Sequence, residues 1–118
     1  MSFEEILKDL VDRVPHAIGA ILVDWEGEAV MEHCHCDPYD MRFIAAHEGI
    51  ILARLQEMQS IAEIGAIQDV VVSASNEHLI IGGINQDYSL MMSVGRTCPL
   101  GLALHNFRRA IVELKKEI

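Results

Sequence analysis

The sequence lacks most of the features that would assign it a chemistry directly. No apolar run approaches the roughly 20 residues that a membrane-spanning helix needs. The opening residues, Met1-Ser2-Phe3-Glu4-Glu5, are acidic where a secretory leader would be basic and then apolar. The expectation is a cytoplasmic protein with no membrane span. Basic residues are few: 9 Lys and Arg stand against 18 Asp and Glu, a formal charge of −9. That balance speaks against nucleic acid as a partner, and against an anionic membrane held by bulk charge. It would steer the chain toward basic partner surfaces instead. Cysteine is scarce and odd in number, and of the three, Cys34 and Cys36 are one residue apart. This is a poor disulfide framework and fits a reducing compartment. There is no G-x-G-x-x-G, no P-loop lysine and no G-x-S-x-G, so nucleotide binding and serine hydrolysis have no signature. Internal repeats, linkers and low-complexity stretches are also missing.

What is present is a core. Half of the 118 residues are apolar, enough for one compact domain over residues 1–118. The run Ala17–Val23 is unbroken and β-branched at Ile18, Ile21 and Val23, which fits a strand buried on both faces. Asp24-Trp25-Glu26-Gly27 supplies turn chemistry, and residues 28–33 return as a second strand. A sheet covered on both sides calls for helices on both sides. Ser2 and Glu5 have capping-box spacing ahead of Phe3, Ile6, Leu7, Leu10 and Val14, a first helix ended by Pro15. Asp37-Pro38 opens a second helix, about residues 39–61. Val70–Ser75, Leu79–Gly83 and Ser89–Val94 read as a three-strand meander, with Gly82-Gly83 marking a bulge or a close backbone contact. Thr97 and Pro99 are expected to open a last helix. Its apolar stripe is Leu100, Leu104, Phe107, Ile111, Leu114 and Ile118.

The second helix is apolar over an unusual width. Met41, Ile44, Ile51, Leu55 and Met58 form one stripe, and Ala45, Gly49 and Ala53 a neighbouring stripe of small residues. A mid-helix glycine costs about 1 kcal/mol against alanine, so Gly49 implies close approach of another backbone. That backbone is either the chain's own sheet or the same helix of a second copy. Charged and polar positions on this helix, Arg42, His47, Glu48, Arg54 and Glu57, read as an outward face for a partner.

The order helix, two strands, helix, three strands, helix resembles the roadblock/dynein-light-chain family. The residues carrying the resemblance are Ile18-Gly19-Ala20-Ile21-Leu22-Val23-Asp24 with Gly27, the Ala/Gly-rich second helix, and Leu100-Gly101-Leu102 leading into Phe107-Arg108-Arg109-Ala110. The resemblance implies an α+β sandwich: five antiparallel strands, the second helix on one face and the first and last on the other. It also implies homodimers or heterodimers formed by second helices and third strands. The contact would then fall on Ala45, Gly49, Leu52, Ala53, Val70 and Val72. In function it implies a noncatalytic platform; bacterial and archaeal members resemble a gliding-motility protein that regulates a small Ras-like GTPase. No cofactor is expected. Arg42 and Arg54 on the second helix are either offered to such a GTPase or, as exposed arginines commonly are, solvated or locally paired.

One segment competes. His33-Cys34-His35-Cys36-Asp37 is rich in zinc and copper ligands, and suggests a metal- or thiol-responsive domain as the alternative. On a strand, His33 and His35 point one way and Cys34 and Cys36 the other, which works against a four-ligand site from this segment alone. A metal site would therefore need an outside ligand, with His16 and Cys98 as the candidates. His47, His78 and His105 are scattered.

Overall fold

In the computed structural model, which describes the backbone of all 118 residues and the surroundings of every side chain except at Gly49 and Ala62, each element starts where its local chemistry dictates. Ser2 Oγ accepts the Glu5 amide at 3.2 Å and starts α1 (Phe3–Arg13), whose Ile6, Leu7, Leu10 and Val11 are buried on one stripe. Pro15 follows and the chain turns at His16, at φ 63°, into β1 (Ala17–Asp24). The Asp24 carboxylate accepts the amides of Glu26 and Glu28 at 2.9 and 3.0 Å, and Gly27 takes φ 86°. The chain then returns antiparallel as β2 (Ala29–Cys34). Asp37 caps α2 (Pro38–Ala62) by accepting the Tyr39 amide at 3.0 Å, with Pro38 in the first turn. The meander is β3 (Asp69–Ser73), β4 (Glu77–Gly83) and β5 (Tyr88–Gly95), and α3 (Leu100–Glu117) closes the chain. Thr97 does not cap α3. Pro99 holds the N-cap position, and no side chain bonds there.

The strands form one antiparallel sheet in the order β2-β1-β5-β4-β3. This order puts β1 and β5 in the middle and explains the unbroken apolar run, because both faces of β1 are covered. Ala20 and Leu22, paired with Met92 and Leu90, join Leu7, Leu10, Phe107 and Leu114 in a core under α1 and α3. Ile21 and Val23 face the other way, with Ile81 and Met91, into a smaller core under α2.

Gly82 sits in β4 without a break in register. A Cβ there would lie 2.8 Å from Phe107 Cε1 and 2.9 Å from Ile111 Cδ1. The glycine therefore serves close approach of α3 and not a bulge. The face that α3 buries is shifted from the expected stripe: Ala103, Phe107, Ala110 and Leu114 are buried, Leu100, Leu104 and Ile111 border them, and Ile118 is exposed. Small Ala103 and Ala110 let the helix settle on the sheet, and large residues flank the contact. Arg108 adds two hydrogen bonds to Asp69 of β3, at 2.7 and 3.2 Å. Among the described residues no helix is long and apolar enough to cross a membrane.

Candidate functional site

Helix α2 lies on its own sheet through Met41, Ala45, Glu48 and Leu52, spaced four, three and four apart and all buried. Two of the six expected dimer-contact residues are thereby corrected: Ala45 and Leu52 pack on Ile21, Val23, Ile81 and Met91 of the same chain. Of the other four, Ala53 and Val72 are exposed, Val70 is half-buried against this core, and Gly49 lies outside the described residues. The flank carrying the smaller residues is turned toward the β1–β2 hairpin. A Cβ on Gly27 would stand 3.1 Å from the Ala46 backbone, and Arg42 is ion-paired with Glu32 of β2.

The opposite flank is the one left open. Ile44, Ile51 and Met58, at steps of seven, are all exposed. Ile44 and Phe43 line a cleft of about 420 Å³ with Leu79, Met91 and Ser93 of the sheet. Beyond this flank is a crest facing away from the sheet: Phe43 is 71% exposed, Ile50 62% and Ile61 85%. Polar residues of the expected partner face share the crest. His47 Nδ1 stands 2.9 Å from the Phe43 carbonyl oxygen, and Arg54 pairs with Glu57 at 3.3 Å. Strand β3 forms the sheet edge beside the open flank.

Glu48, expected on the outward face, is 1% exposed. Neither carboxylate oxygen has a hydrogen-bond partner of good geometry among the described residues. Burial pushes its pKa up to about 7, and the nearby Ser89 hydroxyl offsets this only in part. The signal that would have placed it is its spacing from Met41, Ala45 and Leu52; residue type alone points outward.

The His/Cys segment is divided between the two faces. Cys34, paired with Gly19, packs with Cys36 toward the α2 core. Burial and the neighbouring Cys34 thiol push Cys36 up to about 11, and burial raises Cys98. A raised thiol pKa lowers the thiolate fraction and makes both cysteines weaker nucleophiles. His33, paired with Ala20, faces the α1 side. Its ring meets that of His35 edge-on at 5.6 Å. One ligand atom from each imidazole and one from the Asp12 carboxylate lie within 4.8 Å of one another. His16 and Cys98, the expected outside ligands, are not in this group. The His16 carbonyl accepts the Gly95 amide at 2.7 Å, and Cys98 is buried with its thiol toward the Pro99 carbonyl at 3.6 Å. The sequence reading missed Asp12 because the outside ligand comes from α1, which crosses the sheet over β1 and β2.

No family model and no curated protein matches the chain. Solved structures do. A Roadblock/LC7 domain from Streptomyces avermitilis superposes with a TM-score of 0.83 at 22% identity, covering 97% of this chain and 95% of that one. MglB from Myxococcus xanthus gives 0.86 at 16% identity, over 97% and 92%. A structure of MglB with a tetrameric arrangement gives 0.86 at 19% identity, over 95% and 84%. The agreement extends over nearly the whole chain, and its content is architectural: this sequence adopts the roadblock fold, shared with Roadblock/LC7 domains and with MglB.

Proposed function

We propose that the protein is a self-associating, noncatalytic platform that binds and regulates a small Ras-like GTPase. The observation that carries this reading is the exposed apolar surface of α2: Tyr39, Phe43, Ile44, Ile50, Ile51, Met58 and Ile61. An apolar surface of this extent on a chain this small marks a place where other proteins sit. It offers two positions. The flank with Ile44, Ile51 and Met58, next to the open edge of β3, suits a second copy, which would extend the sheet and remove an exposed edge. The crest with Phe43, His47, Ile50 and Arg54 would then run across both copies and suit the GTPase. The likeness to MglB, one structure of which has a tetrameric arrangement, favours both parts of the reading. Arg54 is the arginine of α2 that the crest offers, since Arg42 is held by Glu32.

Sedimentation equilibrium and titration calorimetry with purified, GTP-loaded Ras-like GTPases from the source cell test the proposal together. The expected result is a dimer at tens of micromolar, a binding scale of roughly 7 kcal/mol, and one GTPase per dimer. The double reversal Arg54→Glu with Glu57→Lys keeps the local ion pair and inverts its direction. It is expected to weaken GTPase binding and leave the dimer mass unchanged. A monomer, or a dimer that binds none of these GTPases, defeats the reading.

A further inference from the structure

We propose that Asp12, His33 and His35 bind a divalent transition-metal ion, with zinc the best match to the donor set. Two observations converge on one point in space. First, His33 in the last paired residues of β2 and His35 just past its end bring their imidazoles together beside α1, the rings 5.6 Å apart and edge-on. Second, α1 crosses that end of the sheet and presents Asp12 from its last turns, bringing one carboxylate oxygen within 4.8 Å of the imidazole nitrogens. Zinc holds nitrogen and oxygen ligands at roughly 2.0–2.2 Å, so its ligand atoms stand roughly 3.3–3.5 Å apart. Asp12 and His35 are exposed, so their side chains are not locked by packing in the present rotamers.

The donors select the ion. Two imidazoles and one carboxylate exclude magnesium and calcium, which take oxygen ligands. Cys34 and Cys36, the neighbours of these histidines in sequence, pack toward the α2 core on the other face of the sheet and do not reach the site. Three protein ligands leave coordination open to water or to a group from outside. Among the described residues the cation paired with Asp12 is Lys8, whose Nζ lies 2.5 Å from Asp12 Oδ2. A bound ion would tie α1 to the end of β2, on the sheet face opposite α2. The site therefore stands apart from the surface assigned above to a second copy and a GTPase, and its failure leaves that assignment untouched.

The test uses untagged full-length protein freed of metal with a chelator. Zinc is titrated calorimetrically, and cobalt(II) is followed by its visible absorption. The expected result is one ion per chain. Affinity should fall about tenfold or more in each of His33→Ala, His35→Ala and Asp12→Asn, since even outer-shell changes act on that scale. Lys8→Ala should bind more tightly, because it releases Asp12; a purely structural role for these residues would not produce that gain. Metal should also raise the melting temperature of the parent and not of His33→Ala. Absence of binding at millimolar zinc would overturn the proposal. So would unchanged affinity in both histidine variants, or loss of binding in Cys34→Ser with Cys36→Ser instead.

Discussion

Glu48 shows how one side chain couples the packing of α2 to pH. A glutamate in water has an ordinary value of 4.5, and under α2 burial raises it to about 7. Between those two values the folded chain holds a proton that the unfolded chain has released. Stability therefore falls as pH rises through this window, by roughly 3 kcal/mol in all, and the loss is complete above pH 7. Glu48→Gln removes the titration. The variant is expected to match the parent near pH 4.5 and to exceed it by roughly 3 kcal/mol at pH 8. Urea unfolding at the two pH values and one fixed protein concentration measures the difference. A gap between parent and variant that does not grow with pH would mean that Glu48 is not protonated beneath the helix. The residue was not legible from composition or type. A carboxylate on a helix is nearly always outside, and only the phase of the buried stripe contradicts that prior here.

At the scale of elements, legibility followed the uniqueness of the pattern. The β1–β2 hairpin, the caps of α1 and α2 and the three-strand meander were readable because each has one local solution: an apolar run, Asp24 with Gly27, Ser2 before Glu5, Asp37 before Pro38. Helix α2 has apolar residues around most of its circumference, so its sequence admits more than one phase. The stripe of small residues looked like a helix–helix seam. In the structure Ala45 is under the helix, and Ala46 gives room to the hairpin at Gly27. The surplus apolar surface lies on the other flank. This difference is testable. Ile51→Glu places a charge in the proposed seam and is expected to weaken self-association tenfold or more, a change of about 1.4 kcal/mol or above. Ala53→Leu, on the small-residue flank, is expected to leave it unchanged. Sedimentation equilibrium of the two variants decides between the flanks, and dissociation by Ala53→Leu alone would restore the small-residue seam. The metal-ligand group had a similar history. Alternation along β2 correctly separates His33 and His35 from Cys34 and Cys36, but no local pattern tells which helix supplies the third ligand. Asp12 becomes visible only when α1 is laid across β1 and β2.

The whole molecule divides its work between two faces of one sheet. On one side, α1 and α3 seal the larger core, with Phe107 lowered onto Gly82. On the other, α2 covers the smaller core and leaves apolar surface unspent. Charge adds a second level of selection. Each chain carries −9, so two chains carry −18, a field that repels other acidic proteins and draws in a basic surface over a Debye length. The two associations proposed for α2 should consequently respond to salt in opposite directions. Self-association joins like-charged chains through apolar side chains, so screening leaves it unchanged or tightens it. Capture of a GTPase with a basic face depends on attraction, so screening slows it. As salt rises from roughly 0.01 to 1 M, the Debye length shrinks from roughly 30 to 3 Å. The association rate constant of the GTPase should then fall by about tenfold or more, while the dimer dissociation constant does not rise. Stopped-flow mixing gives the first quantity and sedimentation equilibrium the second. A rate that ignores salt would mean that the GTPase recognises the apolar crest of Phe43, Ile50 and Ile61 without help from the field of the chain. Parallel weakening of both associations would mean that ion pairs, not Ile44, Ile51 and Met58, hold the two copies together.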